Sequence, residues 1–314
     1  MQEKKRIVRL VAVFVVVLIA AGIAIFLYES PTKSGTTAPS PQGNCASADA
    51  SDGFQETISL PFGVAEADLW NLKTATGYVE QCYQNGLTTF ISLNKMSLVN
   101  SDYFVAGYPE IAFGHNYADE EFSNSDNAPI RFPVQLQTLY QSDLWTNVSY
   151  SISSNHPSQM DFAYDLWVKN STQIGAPTSE DYEVMIEPVD TYFYLATPPS
   201  AILSNETAIV NGVNQKSSWN MYTFPQGGTK AKLIIFSLSS PKQALNRIIS
   251  LKPQDFISFA SSSMGYNISE SYWLMGIELG SEFYPLPTNT QPSWSWTVSW
   301  LSVATDSTDV IIVH

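Results

Sequence analysis

Cations are scarce in this 314-residue chain: 15 lysines and arginines stand against 29 aspartates and glutamates, a formal charge of −14. Five of the cations (Lys4, Lys5, Arg6, Arg9, Lys33) and two acids, Glu3 and Glu29, precede Cys45, which leaves 10 cations and 27 acids beyond it. A surface of that sign repels phosphate backbones and anionic lipid, so nucleic acid is excluded as a partner and a neutral polymer fits. Charge of either sign is low: 14% of residues are charged, where roughly a quarter is usual.

Other chemistry is also missing. The three histidines, His115, His156 and His314, are too scattered for a metal centre. There is no Gly-x-Ser-x-Gly elbow, no phosphate loop and no internal repeat. No cofactor is expected. The run Asp119-Glu120-Glu121 with Asp126 has donors suited to calcium but reads as a solvated loop. Only two cysteines occur, Cys45 and Cys82. In an exported chain such an even pair is most simply a disulfide.

What is present begins with an uncharged apolar run, Leu10 to Tyr28, of 19 positions. It just reaches the roughly 20 residues of a spanning helix and is long for the core of a signal peptide. Lys4, Lys5, Arg6 and Arg9 before it keep that end inside and send the rest out. No Ala-x-Ala site follows closely, so the run reads as an uncleaved anchor, with a removed signal as the alternative. Glu29 to Asn44, rich in Ser, Thr, Pro and Gly, reads as a flexible tether spanning roughly 20–25 Å. The expected organisation is a leader over 1–28, a linker over 29–44 and one domain over 45–314. That domain is expected to be monomeric and extracellular, either tethered or released. Asn147, Asn170, Asn205 and Asn267 each open an Asn-x-Ser/Thr sequon, which suggests surface glycosylation.

From Thr57 onward, short strands alternate with Gly, Pro and Asn turns. Leu87 to Leu93, Phe104 to Phe113, Val134 to Tyr140 and Leu144 to Ile152 all read this way. Trp219 to Phe224 and Ala231 to Leu238 flank Pro225-Gln226-Gly227-Gly228 as a hairpin. Trp294, Trp296, Val298 and Trp300 alternate with Ser295, Thr297 and Ser299 as one more strand. The pattern predicts an all-β sandwich or jelly roll, with 44% hydrophobic residues to fill its core. A single helix interrupts it, with Pro253 in its first turn and Phe256, Ile257, Phe259 and Ala260 as an apolar stripe.

Three of the strands carry acids among apolar residues. They are Phe162-Ala163-Tyr164-Asp165-Leu166-Trp167-Val168, Tyr182-Glu183-Val184-Met185-Ile186, and the stretch Gly276 to Tyr284 with Glu278 and Glu282. Alternation puts Asp165 with Trp167, and Glu183 with Met185, on one face of each strand. One such Glu ordinarily points to solvent. Three acidic strands edged with Trp, Met and Tyr suit a polysaccharide cleft, where aromatic faces stack on sugar rings and two carboxyl groups flank the scissile bond.

Tyr-Asp-Leu-Trp at 164–167, Glu-Val-Met-Ile at 183–186 and Gly-Ser-Glu at 280–282 resemble, in order and separation, the signature strands of glycoside hydrolase family 12. The resemblance runs from about Cys45 to the C-terminus. It implies a β-jelly roll of two packed antiparallel sheets, a concave cleft and one helix on the convex side. It also implies a retaining endo-β-1,4-glucanase, with Glu183 as nucleophile, Glu282 as general acid/base and Asp165 orienting the nucleophile. Met185, Trp70, Trp167 and Trp145 are the implied sugar contacts. Leu69-Trp70-Asn71 resembles the family's Asn-Leu-Trp-Gly strand, often pinned to the N-terminus by a disulfide; Asn71 replaces the usual Gly. Glu187 stands where the family usually has Trp, and Phe283 where Pro often follows the acid. Glu187 is expected about 13 Å from Glu183 on the same face, at another sugar subsite. Glu278 reads as a hydrogen-bonding or solvated residue, and Gly280 as room for the sugar. The alternatives are a xyloglucanase or xylanase with the same mechanism, or a non-catalytic carbohydrate-binding jelly roll.

Overall fold

The computed structural model describes residues 44–53, 55–101, 105–115, 121–122, 130–154, 160–190, 198–211, 213–224, 229–240, 245–285, 293–305 and 308–314. The leader, nearly all of the linker, the hairpin turn 225–228 and the side chains of the acidic run lie outside them. No helix among the described residues is long and apolar enough to cross a membrane.

In chain order the strands are β1 (Asn44–Ala48), β2 (Thr57–Leu60), β3 (Gly63–Glu66), β4 (Leu72–Tyr83), β5 (Leu87–Leu98), β6 (Glu110–His115), β7 (Glu121–Phe122), β8 (Val134–Gln135), β9 (Trp145–Ser154) and β10 (Asp161–Lys169). They continue with β11 (Tyr182–Asp190), β12 (Ala201–Val210), β13 (Val213–Phe224), β14 (Lys232–Ser240), β15 (Asn246–Leu251), β16 (Trp273–Leu274), β17 (Gly276–Gly280), β18 (Ser293–Thr305) and β19 (Thr308–Val313).

Pairing runs as one ribbon. It passes from β2 through β3, β6, β17, β10, β11, β14 and β13, and continues through β12, β15, β9, β18, β5 and β4 to β1. Among the described residues every pair is antiparallel except β11 with β14. The two halves of the ribbon lie face to face. Phe162 on β10 packs 4.8 Å from the Tyr150 ring of β9 and 5.7 Å from Trp296 of β18. The ends β2 and β1 come together, so the sheet is nearly closed, and the expected jelly roll is what forms. Alternation decides which face is which: Phe162, Tyr164, Leu166 and Val168 of β10 enter the core, while Asp161, Ala163, Asp165 and Trp167 face the other way.

The register of β10 against β11 shifts between Phe162 and Tyr164. Glu187 and Pro188 there oppose one residue, so a bulge sits where proline has no N–H to give the ladder. Ile186 and Val189 both stay in the core although three apart. Asp190 is thereby returned to the face of Glu183.

The expected helix forms over Pro253–Met264, with proline in its first turn and Gly265 left-handed at its end (φ 63°). Phe256 meets Trp219 and Phe236 edge-on at 5.1 and 5.2 Å, so the helix covers the convex side of β13 and β14. Two strand readings are corrected. Only Val134–Gln135 of the 134–140 stretch is strand; Leu136–Gln141 is a helix burying Leu136 and Leu139. A short apolar run fits either period, and here the spacing of three wins. In the 104–113 stretch, strand begins only at Glu110, after Pro109.

Cys45 and Cys82 are direct partners in β1 and β4 and form the expected disulfide. Asn71 also gains a physical account. Its Nδ2 donates to Asn100 O (3.1 Å) and Val105 O (2.7 Å), and its Oδ1 accepts from Asn100 N (2.8 Å). A glycine could make none of these bonds.

Candidate active site

The three acidic strands are adjacent, in the order β17, β10, β11. Asp165 sits on the middle one, directly opposite Glu278 of β17 and Met185 of β11. Glu183 pairs with Trp167, so it lies diagonal to Asp165. Glu282 follows β17 and is bound to the start of β10: its N–H donates to Asp161 Oδ1 at 2.9 Å, and Asp161 N–H donates back to Glu282 O at 3.2 Å. Asp165 and Glu278 are buried, while Glu183 and Glu282 keep part of their surface open.

Burial and mutual repulsion govern these acids. Burial, then the charge of Glu282, holds Asp165 well above the ordinary carboxyl range. Burial, then Asp165 and Glu282, does the same to Glu183. Burial pushes Glu282 up to about 7, against hydrogen bonds from Asp161 and Tyr284 that favour its charged form. Glu278 is raised by burial, Asp165, Asp68 and Glu183, opposed by a hydrogen bond from Trp167. Every charge raising these four groups is another carboxylate. Acids this close titrate as a set, and the proton losses belong to the set.

Apolar surface flanks the acids. Trp167 gathers Ala231, Met275 and Trp273 into one cluster, and Met185 gathers Ala163, Tyr222 and Ile235 into another, both separate from the main core. A sugar ring needs such surface beside its acids. Sequence reasoning missed Tyr222, Trp273, Met275, Glu110 and Asp161. For Asp161 a signal existed: it lies four positions before Asp165, hence on the same face.

Other expected residues fall as follows. Glu187 is buried on the face of Glu183, raised by burial and by Asp190, Asp161 and Glu282. Trp70 is 45% exposed in a turn before β4, beside Asp68, whose charge acts on Glu110 and Glu278. Trp145 is a correction. It begins β9, in the other half of the ribbon, on the face opposite Thr146 and Val148, with its ring under Lys252 and its N–H on Asp143. It does not lie beside the acids, since β9 pairs with β15 and β18; strands of both halves share one alternation, so the pattern alone does not tell them apart. Gly280 is a second correction: a Cβ there would meet Pro109 O at 2.3 Å, so the close approach of the neighbouring backbone demands glycine. Asn170, Asn205 and Asn267 are exposed, whereas Asn147 is half-buried with its Nδ2 on Ser302 Oγ.

The family model "Glycosyl hydrolase family 12" matches residues 61–302. No curated protein sequence matches. Among solved structures, a native family 12 xyloglucanase from Bacillus licheniformis is 20% identical, with a TM-score of 0.57 over 83% of this chain and 99% of that one. Endoglucanase 3 of family GH12 from Trichoderma harzianum is 16% identical, with a TM-score of 0.56 over 85% and 100%. Endoglucanase cel12A from Rhodothermus marinus is 18% identical, with a TM-score of 0.53 over 85% and 98%. At these identities the structures establish a shared fold.

Proposed function

Because the chain belongs to glycosyl hydrolase family 12, we propose that it cuts internal β-1,4 bonds of cellulose-type glucans with retention of configuration. The observation that supports this reading is the trio Asp165, Glu183 and Glu282, three acids acting on one another in a cleft edged by Trp167 and Met185. Glu183, ionised, attacks the anomeric carbon and forms a glycosyl-enzyme. Glu282, protonated, gives its proton to the leaving oxygen, then takes one from the water that releases the sugar. Burial lifts Glu282 from the ordinary carboxyl range to about 7, which suits both steps. Asp165, diagonal to Glu183, holds the nucleophile in place. Trp167, Met185 and Trp70 contact the sugar. A carbohydrate-binding module would have no use for a set of buried, mutually repelling acids.

The catalytic domain works outside the cell, consistent with its disulfide. The mass of the mature protein tells a retained anchor from a removed signal.

The test uses an aryl β-cellobioside with an activated leaving group, which needs no protonation. Glu282→Ala with azide is expected to give a β-azide, and Glu183→Ala with azide an α-azide. A β-azide from Glu278→Ala instead, with Glu282→Ala near normal, would overturn the assignment. Reducing-end release from carboxymethylcellulose, barley β-glucan, xyloglucan and xylan ranks the polymers.

A further inference from the structure

Asp161, on the same face of β10 as Asp165, is bound to Glu282 through both backbone and side chain. It is 3% exposed. Besides the Glu282 N–H on Asp161 Oδ1 and the Asp161 N–H on Glu282 O, the two carboxyl groups act on each other in a way that raises Asp161 and lowers Glu282. A bond between two carboxyl groups needs a proton, and those directions put it on Asp161. Asp190 faces Asp161 as its direct partner on β11. Glu183 and Glu187 of β11, Asp165 of β10 and Tyr108, whose hydroxyl donates to Ala163 O at 2.8 Å, are the other described ionisable groups acting on the pair, with Tyr284 on Glu282 Oε2 at 3.4 Å. None of them is a cation. Asp190 accepts from Ser237 Oγ at 3.0 Å. Asp161 Oδ1 is taken by the Glu282 N–H, which leaves its other oxygen to carry the proton.

We propose that Asp161 is a positioning residue for Glu282: a neutral carboxyl that donates a hydrogen bond to it and stabilises the carboxylate left when Glu282 gives up its proton. The proton passes from Glu282 to the leaving oxygen, the glycosidic bond breaks, and Asp161 keeps its own proton throughout. The proposal rests on the acid/base role assigned to Glu282.

The experiment titrates Glu282 by carbon-13 NMR in the full domain, alongside kcat/KM against pH on carboxymethylcellulose. In Asp161→Ala, loss of the donor is expected to raise the Glu282 pKa by about one unit. The basic limb of the rate profile moves with it, and kcat falls on the order of tenfold. Asp161→Asn still donates through its amide and keeps both near the wild-type values. An ionised Asp161 gives the opposite sign, a lower Glu282 pKa in either variant, and a merely structural Asp161 leaves it unmoved. Either result overturns the proposal. An inactive wild type with the expected NMR shifts would instead sink the function assigned to Glu282, so the two failures are distinguishable.

Discussion

Asp165 and Glu278 stand directly opposite one another on β10 and β17, two buried carboxyl groups in adjacent strands, and Glu278 leaves one oxygen without a hydrogen bond. Two acids so placed do not both ionise at ordinary pH. Glu278→Gln keeps an acceptor for Trp167 and removes one competitor for charge. We expect activity within several-fold of wild type and an acid limb of kcat/KM moved to lower pH, because Glu183 and Asp165 ionise more readily. A loss on the order of a thousandfold would show that Glu278 takes part in the chemistry.

Stability should follow the same acids. An acid whose folded value lies above its unfolded one binds more protons when folded, so its contribution is complete below the unfolded value and is lost as pH rises through the folded one. Glu110, Asp161, Asp165, Glu183, Glu187 and Glu278 all lie well above their ordinary 3.8 or 4.5, and Glu282 reaches about 7. Asp49 and Asp143 shift the other way but are exposed and count for little. The melting temperature is expected to fall by about 5 °C or more between pH 5 and pH 8. A rise over that range would contradict it.

Asn71 ties the turn before β4 to the chain at Asn100 and Val105. Asn71→Ala leaves those half-buried partners unmet and should cost about 2–4 kcal/mol. Urea unfolding measures the change, and Asn71→Gly should cost a similar amount.

The Cys45–Cys82 bond closes a separation of 37 residues. In the chain-entropy model, its removal as a double Ser variant lowers stability by about 4 kcal/mol. Labelling of the unfolded, unreduced protein should find no thiol; two labelled cysteines would refute the bond.

Much of this was legible because alternation is local. Phe162 to Val168 and Tyr182 to Ile186 show their inward and outward residues without a partner in view, and the acids on them follow. What stayed hidden depends on register between distant strands. Asp161 meets Glu282 across 121 positions, which no pattern within either strand encodes. Trp145 carries the same alternation as Trp167, so only the topology separates the outer sheet from the cleft. Gly280 and Asn71 answer to backbone approaching from elsewhere, Pro109 in one case and Val105 in the other.

The parallel pairing of β11 with β14 carries a consequence for how the molecule comes together. β11 meets β10 through a short connection, but Tyr182 lies beside Lys232, 50 residues later, only after β12 and β13 have been laid down. Closing such a loop costs entropy before any contact repays it, and long-range pairings of this kind form late. Asp165 meets Glu278 across a longer separation still, so the strand bearing Glu183 gains β14 before β17 closes against β10, and an unfinished chain presents no groove to a polymer.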